Sequence, residues 1–322
     1  MISVDVKSDL LSWARERAGK DFYDLERRFP KLADWESGRS KPTLKQIENF
    51  AKATYTPVGY FFLEEPPTEK IPIPDFRTVR NEYTIRPSPN LLDTIYMCQQ
   101  RQEWYHDYVR SMGEEPLPFV GAVTIQGDVM VTAAKMRQII GFDIDERRKM
   151  LTWADALRHF IDQVDSIGIL VMCSGVVMNN NYRHLNPEEF RGFALADKLA
   201  PLVFINGADT KAAQMFTLAH EIAHIWLGLS AVSDVQASWI SDHKVERWCN
   251  QVAAEFLVPL DLIKREYKNN IELQDELKRL ARRFKVSTLV ILRRIYDAGF
   301  ISFNTFQETY QMELALLISI IA

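Results

Sequence analysis

The sequence predicts an α+β protein: an all-α N-terminal segment, then a region with a small mixed sheet packed on one buried helix, then a helical C-terminal lobe. Three observations carry this. Helical apolar stripes fill residues 1–65 and give way to a stretch with six prolines, Pro66, Pro67, Pro72, Pro74, Pro87 and Pro89. Three short β-rich runs precede Gln214–Gly228, a helix apolar on nearly every side. Past Pro259 the chain becomes basic and helical in pattern. The expected parts are residues 1–65, a stiff extended linker over 66–89, a central domain over 90–260 and a helical lobe over 261–322.

The 322 residues are 47% hydrophobic and 25% charged, with a net charge of −4. Any nucleic-acid contact must therefore be local. Cys98, Cys173 and Cys249 form neither a disulfide framework nor a paired-cysteine metal site, which points to a reducing cytoplasm. No run reaches the roughly 20 apolar residues that span a bilayer. There is no apolar signal core at the N-terminus.

In the first segment Leu10, Leu11, Trp13, Ala14 and Ala18 give one helical stripe ending near Gly19. Phe22, Leu25 and Phe29 give a second, stopped by Pro30, and Trp35-Glu36-Ser37-Gly38 closes a very short third. Thr43 and Gln46 have capping-box spacing ahead of Leu44, Ile47, Phe50 and Ala51, and Pro57–Leu63 is a last apolar turn. The run from Trp13 to Gly19, with Trp35-Glu36-x-Gly38, Pro42-Thr43-Leu44 and Gly59–Leu63, resembles the repressor-type (Xre) helix-turn-helix. That resemblance implies a recognition helix for the DNA major groove. Here Pro30 follows Phe29 directly and only Lys31–Glu36 remain before the next turn, so the reading helix is truncated. Residues 7–62 hold 11 Lys and Arg against 8 Asp and Glu, a surplus of three. Weak, salt-sensitive DNA contact by residues 1–65 is the most this surplus suggests, and a helical domain for protein contacts is equally expected.

Asp75-Phe76-Arg77-Thr78 in the linker matches a segment common in proteins that join such a helix-turn-helix to a peptidase; no chemistry is assigned to it. Asn90–Met112 reads as a helix with Leu91, Ile95, Cys98, Trp104, Tyr105 and Tyr108 on its apolar side. Met130–Ile140 and Trp153–Val164 read as two more. Gly168–Met172, Phe193–Ala196 and Leu202–Asn206 are the expected strands.

Asp209 or Thr210 caps the next helix, which holds His220-Glu221-Ile222-Ala223-His224 and stops at Gly228. Histidines at i and i+4 stack on one helix face and can share a metal. With 6 histidines in the chain, a chance match is on the order of 0.01. The pattern points to Zn²⁺ on His220 and His224, with Glu221 as general base toward a water activated by the metal. After a loop with Ser230, Ser233, Asp234 and Ser238, the residues Val245, Trp248, Cys249, Val252, Ala253, Phe256 and Leu257 mark an amphipathic helix. It is expected to start near Ser241-Asp242 and to end before Pro259. Its two glutamates, Glu246 and Glu255, lie about 180° apart around the helix. Each flanks the apolar stripe, so periodicity leaves the third ligand open. Asn250, one turn after Glu246, is placed to hydrogen-bond a ligand histidine.

Phe216-Thr217-Leu218-Ala219-His220-Glu221-x-x-His224, with Glu246-x-x-Cys249-Asn250-x-x-Ala253-Ala254-x-x-Leu257-x-Pro259 and Glu189–Ala194, is similar to the ImmA/IrrE zinc-peptidase family. The resemblance implies a zincin-like peptidase domain and Glu246 as third ligand. It also implies an intracellular endopeptidase that cleaves a repressor, typically encoded nearby, in stress or mobile-element responses. Glu255 is then expected to be a surface or substrate-lining carboxylate. A transcription regulator whose zinc domain is a sensor or scaffold is the alternative, and an antitoxin-like interaction module a third.

Further along, Leu280–Arg294 has a second helix-turn-helix-like spacing, with Lys285 where glycine is usual. It reads as a lobe shaping the cleft, or as a groove-facing helix bearing Arg293 and Arg294. The apolar Leu314–Ala322 is read as a packed terminal helix, a dimer seam or a truncation. Tyr182, Arg183, His184, Arg191 and His243 are the candidate oxyanion donors. Cys173 and Cys249 read as buried small side chains rather than ligands.

Overall fold

The structure is a computed structural model; it describes residues 3–75, 86–233 and 243–321, with side chains to Leu316. The chain divides into two compact units, residues 1–72 with 79–96, and 73–78 with 97–322.

The first unit is built from short pieces whose ends are written in the sequence. They are α1 (Ser8–Arg17), α2 (Phe22–Arg28), α3 (Leu32–Glu36), α4 (Leu44–Ala53) and a 3₁₀ turn, Val58–Phe62. Asp21 caps α2 by accepting from Tyr23 N–H, and Pro30 follows its end. The capping box of α4 forms: Thr43 Oγ1 accepts from Gln46 N–H at 3.3 Å and Gln46 Oε1 from Thr43 N–H at 2.8 Å. Leu11, Leu32, Ile47, Phe50 and Phe61 make the core of this unit. At five residues, α3 is as short as the Pro30 spacing predicts.

The helix α5 (Pro89–Ser111) follows. It corrects one expectation. Trp104 and Tyr108 are exposed and stack on each other at 5.9 Å. The inward positions past Cys98 mix buried Val109 and half-buried Tyr105 with polar residues. Gln102 Nε2 donates to Leu195 O and Ala200 O, both at 2.8 Å, and His106 Nδ1 meets Asp197 Oδ1 at 3.0 Å. The amides of Ala200 and Leu199, with His106, hold the Asp197 carboxyl below its usual range despite burial.

Next come α6 (Val129–Ile140), α7 (Ile144–Lys149) and α8 (Trp153–Ser166). The sheet is β1 (Leu170–Ser174), β2 (Gly192–Leu195), β3 (Leu202–Asn206) and β4 (Ala231–Ser233), in the order β1-β3-β2-β4. β1 and β3 are parallel, and the other pairs are antiparallel. The small mixed sheet is as expected, with one strand more. Ala231–Ser233 reads as loop because three residues are too few to show alternation. The helix α9 (Lys211–Leu227) lies on β2 and β3 and against α10 (Lys244–Leu257). The expected start of α10 at Ser241-Asp242 lies outside the described residues; its N-cap is His243. The C-terminal lobe is α11 (Leu260–Glu266), α12 (Leu273–Phe284), α13 (Thr288–Asp297) and α14 (Phe303–Ile321). Lys285 ends α12 at φ 52°, the left-handed conformation that glycine adopts freely, with its ammonium 5.1 Å from the Trp153 ring centroid.

Two arginines of the basic stretch are spoken for. Arg294 is buried, donates to Val258 O at 2.9 Å and pairs with Glu255. Arg293 pairs with Asp297 at 2.8 Å. Arg294 is therefore not a groove-facing residue. Among the described residues no helix is long and apolar enough to cross a membrane.

Candidate metal centre

The centre rests on how α9 is fixed. Thr210, rather than Asp209, caps it: its hydroxyl accepts from Ala213 N–H at 3.2 Å. Gly228, at φ 70°, ends it. The amides of Gly121 and Val123 bond the carbonyls of Ile225 and Trp226, and Phe119 stacks on Trp226 at 4.5 Å. Every residue from Gln214 to Trp226 is buried.

The i, i+4 spacing brings the His220 and His224 rings to one point, with Nε2 atoms 3.1 Å apart. Glu246, in the first turn of α10, reaches the same point. Its Oε2 is 3.2 Å from His220 Nε2 and its Oε1 is 3.0 Å from His224 Nε2. One ligand atom from each of the three residues lies within 4.8 Å of the others. Asn250, one turn on, places Oδ1 2.9 Å from His220 Nδ1. With Nδ1–H donating there, Nε2 of His220 carries the lone pair. Ser233 of β4 adds a hydroxyl 3.5 Å from His224 Nε2.

The electrostatics are those of an acceptor-rich pocket. Burial pushes the Glu246 carboxyl up, but the two imidazoles overcome it and hold the group well below the usual carboxylate range. Burial also lowers both histidines. At His220 the Glu246 carboxylate wins and the net direction is up; at His224 burial wins and it is down. Two imidazole nitrogens and a carboxylate converge in a buried site, an arrangement that water cannot solvate and that a divalent cation satisfies. The donor set therefore fits a metal ion.

Glu221 follows His220 on the same helix. It is fully buried, and among the described residues neither carboxylate oxygen has a hydrogen-bond partner. Burial pushes its carboxyl up to about 8; His220 pulls against this, the Glu246 carboxylate adds to it, and the Ser233 hydroxyl, close by without reaching full hydrogen-bond geometry, pulls it down slightly. The sheet makes room for it at Gly192. A Cβ there would meet Thr217 Cγ2 at 2.6 Å, Phe204 O at 2.8 Å and Glu221 Oε1 at 3.2 Å. Gly192 and Ser233 are cross-strand partners. Neither stands out in the sequence, because both act through strand pairing rather than local spacing.

The other candidates are not drawn together. Glu255 is buried, not a surface carboxylate, and 4% exposed. It pairs with Arg294 and accepts from Leu260 N–H at 3.2 Å. Arg191 is held by Asp209 at 3.1 Å, and Tyr182 is 89% exposed. Arg183 stands in the same turn as Tyr182, and His184 pairs with Val176. His243 lies at the N-cap of α10, near enough for its charge to lower His224. Cys249 is buried as expected, and burial raises its thiol well above normal. Cys173 is exposed, contrary to expectation, with its thiol 3.6 Å from Gln214 Oε1.

No curated protein matches the chain. Residues 164–296, which include the whole sheet, α9 and α10, match the peptidase family model described as the IrrE N-terminal-like domain. Peptidases of that family are typically metal-dependent. The match and the buried His220–His224–Glu246 group together support a metallopeptidase of the ImmA/IrrE kind.

Proposed function

We propose that the chain is a cytoplasmic zinc endopeptidase that cleaves a partner protein, such as a transcriptional repressor. The observation that carries this is the convergence of His220, His224 and Glu246 with Glu221 on the same buried helix. His220 Nε2, His224 Nε2 and a Glu246 oxygen would hold Zn²⁺, and Asn250 fixes the His220 tautomer. Two imidazoles and one carboxylate are a catalytic zinc set that keeps a position open. When bound, zinc lowers the pKa of water and polarises a carbonyl. Glu221 takes the proton of the attacking water as the C–O bond forms. It then delivers that proton to the leaving nitrogen as the C–N bond breaks. The apolar shell of α9 excludes other water from that transfer.

The sequence resemblance supports a repressor as substrate, and the three unpaired thiols support a reducing compartment. The N-terminal unit is read as a contact domain. A five-residue α3 presents little more than one turn to a groove, and the local charge surplus is small. The test is co-expression with neighbouring reading frames. A fragment that appears with the parent chain and not with Glu221→Gln supports the proposal. Fragmentation that persists in the mutant contradicts it.

A further inference from the structure

The sheet edge beside the metal centre is covered by the chain itself. β4 is an outer strand, paired on its inner side with β2. On its other side, Val232 N–H donates to Pro74 O at 2.9 Å, and Asp75 bridges Val232 in parallel. The next residue of β4 is Ser233, whose hydroxyl stands 3.5 Å from His224 Nε2. Its strand partner Gly192 faces Glu221. The edge occupied by Pro74 and Asp75 therefore runs alongside the candidate metal ligands. An exposed strand edge is the ready site for an extended peptide, because unpaired amides and carbonyls form its ladder. A protein substrate must present its scissile bond in extended form at this place.

Proline limits how the covering segment pairs. Pro74 accepts from Val232 and, having no N–H, donates nothing at its own position, while the bridge of Asp75 to Val232 continues the pairing. A peptide without proline at that register can both donate and accept along Ala231–Ser233. We propose that Ile73–Asp75 is an autoinhibitory strand, displaced from the edge of β4 by the extended segment of an incoming protein substrate. The inference rests on the peptidase reading above.

The test uses the full chain in the Glu221→Gln background, which separates binding from cutting. Two variants act in opposite senses. Ile73→Gly, Pro74→Ser and Asp75→Gly together loosen the strand. Pro74→Val gives it back an N–H donor. Fluorescein-labelled casein should bind about fivefold more tightly to the loosened variant than to the parent, and more weakly to Pro74→Val, as one or two backbone hydrogen bonds shift. Amide exchange at Val232 should quicken in the first variant and slow in the second. Equal casein affinity in all three forms overturns the inference, and so does unchanged exchange at Val232. The peptidase reading fails separately: casein cleavage by the otherwise unaltered chain that survives Glu221→Gln contradicts that reading.

Discussion

The helix α10 carries two buried glutamates nine residues apart, and their surroundings could hardly differ more. Glu255, at the C-terminal end, is met by donors: the Arg294 guanidinium and the Leu260 amide. Around it Arg137, Arg147 and Arg294 bond the carbonyls of residues 255–258. Glu246, at the other end, is met by two imidazole nitrogens aimed at the same point. The first carboxylate is satisfied by the fold and anchors the helix. The second stands in a donor set that a cation would complete. Burial alone does not mark a functional acid; the kind of partner does.

The sharpest way to break this comparison is through Glu221, the third acid of the region, which among the described residues bonds neither a guanidinium nor an imidazole nitrogen. Glu221→Gln should cut peptide cleavage by roughly 10²–10⁴-fold, the worth of a general base, while metal content stays at the parental level. Metal loss in that mutant would place Glu221 among the ligands. Glu255→Gln should act on stability instead. Leaving buried Arg294 with only its longer contact to Asp297 at 3.3 Å should cost about 1–3 kcal/mol, read as a lowered denaturation midpoint. A mutant as stable as the parent would show that the Arg294 pair does not anchor α10.

These two acids also show how far the sequence could be read. The His220/His224 pair is legible because a helix repeats every four residues or so, and the apolar surroundings and Gly228 mark the helix itself. Periodicity does not choose between Glu246 and Glu255, since each flanks the stripe on α10; the family resemblance and Asn250, one turn on, point to Glu246. What periodicity cannot show is the partner of Glu255, Arg294, on a helix 39 residues further along. The same limit hides β4, whose three residues acquire meaning only by pairing with Gly192–Ala194. It also hides the inward face of α5, where Gln102 and His106 stand in place of the expected Trp104 and Tyr108 because the end of β2 and the loop after it offer them partners. The truncated α3, by contrast, follows from one proline.

Two smaller effects sharpen the comparison. Asn250→Ala should weaken metal binding by about 10–100-fold, because His220 loses the acceptor that fixes its tautomer. Unchanged affinity would reduce Asn250 to a packing role. The smallest effect is in thiol labelling of the folded protein. Cys173, exposed on β1, should react with iodoacetamide first. Cys249 should not, being buried on α10 between the two glutamates, nor should Cys98, whose thiol burial pushes up to about 12. Early labelling of Cys249 would mean that α10 opens at its Glu246 end.

The most direct test is a competitive chelator titration of Glu246→Gln and Glu255→Gln beside the parent, each loaded with zinc. Glu246→Gln replaces an anionic ligand with a neutral one, so it should surrender zinc at far lower chelator concentrations. Glu255→Gln should hold it as the parent does. The reverse order would move the third ligand to Glu255 and contradict the account of both ends of α10.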